Sequence, residues 1–319
     1  MLKLNTLSGF GSGVSGAAVT VAVYGYSVGG NTGAASTLTE RMTFSTGVFA
    51  TAATSNLNVA MQSQAGHSDT TTHGYSCGGD MTDVTERMTF STGAFAANTD
   101  SDLSGARSTA HGLSDGATYG YVGGSSIFSA TIERMTYSTS VNAVNTDGSL
   151  SVGRMGVGGV SDGVTYGYWA GGYSHPTDVR HQIADRITFA DSTTAANTDS
   201  DLAGAARHQI VGLSGGAYGY FSGGNPGGKT NITDRITFST GVTALNTDSD
   251  LSEAKGFVHA FSDNITYGYL FGGNISSPPP YRSSVTDRLV LATSVNTANT
   301  DSDLTATVQQ GVGISDGAV

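Results

Sequence analysis

Residues 208–251 read HQIVGLSGGAYGYFSGGNPGGKTNITDRITFSTGVTALNTDSDL. In AYGYFSGG (217–224) aromatic and small residues alternate, the period-two signature of a strand. In DRITFST (234–240), Ile236 and Phe238 share one face, while Arg235, Thr237 and Ser239 share the other. Gly, Asn, Asp and Ser bound each run. The stretch therefore predicts strands at HQIVGLS, AYGYFSGG, TDRITFST and VTALNT. No helical apolar period persists for a dozen residues anywhere in the chain.

The same sentence is written six times. YGYFSGG has counterparts at 24–30, 73–79, 119–124, 166–172 and 267–273, and the paired glycines recur at spacings of 49, 45, 48, 52 and 49 residues. Each copy is followed by an acid–Arg strand, from Glu40-Arg41 to Asp287-Arg288. NTDSDL closes four units, NTDGSL (145–150) closes the third, and the first has the degenerate ATSNLN (53–58). A period near fifty residues with four strands is the measure of a propeller blade. Six blades closed in a ring leave only short, protected edges.

The two ends of the chain fit one another. QQGVGISDGAV stops where other units run from SDGAT or SDGVT straight into YGY, and VTVAVYGYSVGG begins where that text breaks off. The expected fold is all-β: a six-bladed β-propeller of four-stranded blades over 20–319. In it, residues 307–319 supply the first strand of the blade whose other strands come from 20–57.

These features resemble the kelch-type β-propeller family. The resemblance rests on the strand ending in Gly-Gly, the basic residue after the Leu of each unit (Arg107, Arg154, Arg207, Lys255) and the aromatic strand that follows. A tryptophan usual on the fourth strand is replaced by NTDSDL. The near-identical copies of GYxxGG, DRITFST and NTDSDL are also similar to propellers encoded in bacteriophage genomes as tail-fibre or other virion proteins. That likeness implies a non-enzymatic structural or adhesion protein of a virion, present in multiple copies, made in the host cytoplasm. Its Gly/Ser-rich segment 1–19 would attach it to other virion proteins, and its propeller would meet a host-surface glycan or a virion protein. A cellular kelch-like lectin or interaction scaffold is the alternative.

Composition excludes other classes. The 319 residues carry a net charge of −11 with 14 Lys and Arg, against a phosphate-backbone binder. One cysteine excludes a disulfide scaffold and a cysteine-based zinc site. No apolar run is long enough to span a membrane, and the start lacks the apolar core of a signal peptide.

The repeated side chains read as structure. Tyr26, Tyr75, Tyr121, Tyr168, Tyr220 and Tyr269 occupy one place per unit and are expected to fill the wedges between blades. Six symmetric acids around a ring do not converge on one bond as glycoside hydrolysis requires, so no catalytic residue is expected. The Arg of each acid–Arg pair is expected to donate across to the next blade, to the Asp of NTDSD. NTDSDL reads as a tight turn before a calcium loop. His111 and His259 fall at equivalent places in opposed blades but make a poor metal site, and Cys77 is expected buried and inert. No metal and no cofactor are expected. The non-repeating text lies between strands two and three of each unit. There His175, Arg180, His181, Lys229, Tyr281 and Arg282 are the candidate ligand-binding residues, on a loop face opposite both termini.

Overall fold

The computed structural model describes residues 22–277, 279 and 281–316; the proposed attachment segment 1–19 lies outside them. Six four-stranded antiparallel sheets form the blades, each running from an innermost strand to an outermost one. The innermost strands are Ala65–Ser68, His111–Ser114, Gly158–Ser161, Val211–Gly215, His259–Ser262 and Val312–Ser315. The last belongs to blade one. It pairs with Tyr24–Val28 in the register Tyr26↔Ile314 and Ser27↔Gly313, so the ring closes through the C-terminal strand as the sequence implies. A two-stranded hairpin, Tyr173–Ser174 with Val179–Arg180, is added in blade four.

Six hydrophobic clusters fill the six wedges between neighbouring blades. The second Tyr of each YGY phrase is buried to 1% exposure or less, which places it in the packing role read from the repeat. Its hydroxyl reaches the turn between strands three and four of the next blade: Tyr75 to Ser140 at 3.1 Å, Tyr121 to Ser192 at 2.9 Å and Tyr220 to Ser294 at 2.7 Å. These serines hold left-handed φ angles of 54–57°. Glycine takes the place at 47, 93 and 241, facing Tyr269, Tyr26 and Tyr168.

The acid–Arg pairs divide as strand geometry requires, one member to each face. Each Arg stacks on the first Tyr of its YGY phrase, for example Arg235 at 4.4 Å from the Tyr218 ring centre; His73 stands in that place in blade two. The acceptor across the wedge is not the Asp of NTDSD. Arg87, Arg134 and Arg235 donate to Ser140, Ser192 and Ser294 of the next blade, because the adjoining turn, not the NTDSD segment, lies opposite the guanidinium. Asp147 lies 3.5 Å from Arg134, but within the same blade.

The acids turn to the other face and are buried. Glu133, Asp185, Asp234 and Asp287 meet Arg107, Arg154, Arg207 and Lys255, which arrive on the connection leading into the same blade, at 2.7, 2.7, 2.7 and 3.1 Å. Met61 and Val308 occupy the basic place beside Glu86 and Glu40. Asn58 supplies its backbone and side-chain N–H to Glu86 instead, and Thr305 supplies its N–H and hydroxyl to Glu40.

NTDSDL forms a turn of 3-10 helix in blades two, four, five and six. Its Ser donates to the carbonyl of the next blade's left-handed turn, as from Ser101 to Ser140 at 2.7 Å. Its second Asp accepts from the start of strand three, as Asp250 does from the Thr233 N–H at 2.8 Å. Blade three differs from the expected turn. Gly148 and Ser149 replace the bonding Ser and capping Asp, and the outer strand runs on through Val141–Ser149. Asn145 there supplies the cross-blade donor, to Ser192 O at 2.9 Å.

Near the axis the backbones almost touch. A Cβ on Gly212 would lie 1.8 Å from Gly159 O, so no larger residue fits where these two innermost strands meet.

Candidate functional site

Two belts encircle the axis, one at each end. On the face of the one–two hairpins, each innermost strand ends its repeat in Ser: Ser68, Ser114, Ser161, Ser214, Ser262 and Ser315. Ser114, Ser161 and Ser262 each donate to the carbonyl of the preceding blade's serine, at 2.7–2.9 Å. Ser214 Oγ accepts the Ser161 N–H at 2.9 Å, so at four of the six places the hydroxyl bonds blade to blade.

The belt on the loop face is held by backbone. Ser63, Thr109, Gly156, Gln209, Phe257 and Gln310 all adopt left-handed φ, between 53° and 66°. Thr109 N donates to Ser63 O, Gly156 N to Thr109 O, Phe257 N to Gln209 O and Gln310 N to Phe257 O, at 2.7–3.2 Å. Between blades four and five the link shifts by one residue, Ile210 N to Gly156 O at 3.3 Å, and Ser63 N joins blade two to blade one on Gln310 O. Gly156 shows that glycine satisfies this backbone role. The other five places keep a side chain at the cost of a left-handed conformation, about 1 kcal/mol or more apiece. All six line a cavity at this end of the axis, of about 80 Å³, with His111 and His259 deeper in its wall.

The non-repeating loops stand around this mouth. In blade four, the 173–180 hairpin carries His175, whose Nδ1 lies 3.1 Å from Asp178 Oδ1. The Tyr173 hydroxyl donates to the same carboxylate and holds it below the usual range. His181 Nε2 lies 2.8 Å from Ser174 Oγ, and burial lowers its pKa. Tyr173 packs edge-on to Phe128 at 6.1 Å and lies 5.5 Å from His208. Arg180 is exposed on the second arm of the hairpin.

Blade five contributes Lys229. Its ammonium reaches inward, donating to Gln209 Oε1 and lying 5.5 Å from the Phe257 ring centre. Partial burial lowers its pKa to about 8. Blade six contributes Tyr281, 48% exposed, and Arg282, whose Nη1 lies 3.5 Å from Asn31 Oδ1 of blade one.

The six sequence candidates thus form two groups. His175, Arg180 and His181 share one hairpin, and Lys229 adjoins it through His208, whose pKa is lowered first by burial and then by Arg180 and Lys229. Tyr281 and Arg282 stand apart, over the junction of blades six and one. Sequence reading missed Gln209, Phe257, Phe128, Tyr173 and His208. For Gln209 and Phe257 a signal was available. Six aligned positions, from Ser63 to Gln310, never repeat a neighbour's residue type although the flanking text does.

The other candidate groups are occupied elsewhere. His259 accepts from Gly311 N at 2.6 Å and lies 3.3 Å from Ser27 Oγ. Cys77 is buried beside His67, with Sγ 3.6 Å from Nε2, and its thiol is pushed up to about 12 by desolvation. Among the described residues, no cluster of three His, Cys, Asp or Glu side chains is placed to hold a metal ion. Among the same residues, no helix is long and apolar enough to cross a membrane.

No family model matches the chain, and no curated protein sequence matches it. Comparison of folds does find similar structures. A solved structure titled "Structure of YjhT" superposes with a TM-score of 0.64 over 80% of this chain and 87% of that one, at 12% sequence identity. At that identity the likeness establishes the propeller fold and carries no function with it.

Proposed function

We propose that this propeller is a non-enzymatic adhesion or structural component of a bacteriophage virion, in a tail fibre, appendage or decoration, that binds through its loop face. The observation that supports a binding role is the contrast between the two axial belts. Serine repeats six times at one end, whereas at the other five strained positions hold five side chains of which only two are alike. Side chains kept under backbone strain at a cavity mouth point to recognition. The repeated carboxylates are buried and bonded to the scaffold, which favours binding over hydrolysis. The virion assignment rests on the repeat idiom, with its near-identical phrases.

Two experiments test the reading. The propeller is screened on a glycan array beside a variant with His175, Arg180, Lys229 and Gln209 all changed to Ala. Retention by the intact protein and loss in the variant is the expected result. Antibody raised to the propeller should label purified phage particles in electron micrographs; labelling of host cells alone would favour a cellular lectin or scaffold.

A further inference from the structure

The chain has 14 Lys and Arg, and Lys3 lies outside the described residues. Four of the others, Arg107, Arg154, Arg207 and Lys255, are buried against carboxylates. Six belong to the acid–Arg strands. Five of these lie over tyrosine rings at 4.4–5.0 Å, and Arg87 donates to Ser140. The remaining three, Arg180, Lys229 and Arg282, occupy the two–three connections of three successive blades. None of the three has a carboxylate within ion-pair distance among the described residues. The Arg282 Nε is buried without a hydrogen-bond partner among the described residues.

We propose that the half of the loop face built by blades four to six binds an acidic saccharide, with the anionic group on Lys229 at the axial mouth, Arg180 as a flanking cation, Arg282 farther round the rim toward blade one, and Phe257 against the apolar face of the sugar. The proposal rests on the adhesion reading and names its ligand class. A partly desolvated ammonium with a neutral amide and an aromatic ring but no carboxylate beside it is an unfavourable arrangement that a bound carboxylate or phosphate relieves. Gln209 and Gln310 offer both donors and acceptors for hydroxyl groups, and an aromatic face beside them suits the stacked C–H surface of a pyranose. A chain of net charge −11 with three cations free of carboxylates among the described residues is unsuited to a long polyanion, which favours discrete anionic groups on a glycan over nucleic acid.

The test uses the full chain on an array of carboxylated glycans, phosphorylated glycans and the neutral counterpart of each. Titration of the retained glycans follows, for the wild type and for Lys229→Gln. The expected result is retention of acidic members, about tenfold weaker binding of the neutral counterparts and about tenfold weaker binding by K229Q, the change that loss of one charged contact brings. Which acidic set is retained identifies the anion. Wild-type affinity should also fall as salt rises from 50 to ~300 mM, a readout independent of how the variant folds. Equal binding of acidic and neutral glycans, or salt-insensitive binding, overturns the acidic ligand while leaving adhesion standing. Retention of no glycan at all overturns both.

Discussion

Asp316 Oδ1 accepts the backbone N–H of Tyr24 at 2.7 Å, although 292 positions separate them in the chain. In the intact hairpins, Asp115 accepts from Tyr119 at 2.9 Å, Asp162 from Tyr166 at 2.9 Å and Asp263 from Tyr267 at 2.8 Å. The chain ends therefore rebuild, without a covalent link, the hairpin that other blades make continuously. Loss of residues 307–319 would strip the innermost strand from blade one and expose an unpaired edge beside the axis. The truncated protein is expected to lose its cooperative transition or to melt far below the full chain. Asp316→Ala removes the acceptor of two backbone donors and should cost about 1–2 kcal/mol. A circular permutant joining 318 to 23, which leaves three residues between Asp316 and Tyr24 as in the intact hairpins, with new ends at Gly116 and Ala117 in the equivalent hairpin, should melt close to the wild type. Chemical denaturation followed by fluorescence of buried Trp169 measures all three; a truncation as stable as the full chain would refute closure by this strand.

The buried ion pairs make a second prediction. Arg154 bonds Asp185, Gly171 O and Trp169 O with its side chain fully buried. Arg154→Met leaves Asp185 buried and uncompensated, an expected loss of about 3–5 kcal/mol. Blade two carries the natural counterpart, with Met61 in the basic place and Asn58 bonding Glu86. Ser151 is the position equivalent to Asn58. Ser151→Asn added to Arg154→Met should recover part of the loss. A double variant no more stable than Arg154→Met would mean that Asn58 is not the compensating group.

The repeat made the blade count, the strand order and the closing strand legible, because a period of two within a period of fifty allows few arrangements. The tyrosine wedges were legible for the same reason. The partner of each Arg was not. Arg235 and Ser294 meet across a wedge and 59 positions, and local text does not state which turn of the next blade faces a guanidinium. Lys229 was legible as a departure from the repeat, but its approach to Gln209 and Phe257 depends on how connections from blades five and six converge on the axis. Asp185 was overlooked as an ion-pair partner because Arg154 precedes it by 31 residues, on a connection that reads as belonging to the previous unit.

Acid should loosen the fold at identifiable histidines. His67 takes the place held by Leu113 and Leu213 in other blades and is buried, 3.1 Å from the Tyr137 hydroxyl. Desolvation holds its pKa down at about 3, and the same cause holds His259 at about 3. Unfolded, each titrates near 6.5. The unfolded chain therefore takes up protons as pH falls below about 6.5 while the folded chain does not. Stability present above that pH declines toward pH 3, by about 2 kcal/mol for each such histidine at pH 5. His67→Leu should shrink the loss between pH 7.5 and 5 by about that amount. Urea midpoints at the two pH values decide it, and an unchanged difference would mean that His67 is protonated in the folded protein.

The turn serines and glycines make two conservative changes act in opposite directions. The Tyr220 hydroxyl bonds Ser294 at 2.7 Å, whereas the Tyr168 hydroxyl, facing Gly241, is buried with no hydrogen-bond partner among the described residues. Both rings fill equivalent wedges at 0% exposure, so packing changes little when either becomes Phe. Tyr220→Phe removes a buried bond and leaves the Ser294 hydroxyl only its bond from Arg235, an expected loss of about 1 kcal/mol. Tyr168→Phe removes an unsatisfied polar group and should leave stability unchanged or raise it by about 1 kcal/mol. Equilibrium unfolding of both variants under one set of conditions gives the comparison. Equal losses would mean that Tyr168 has a partner, the neighbouring Arg186 guanidinium being the nearest candidate, and Gly241→Ser would then gain nothing by offering it a hydroxyl.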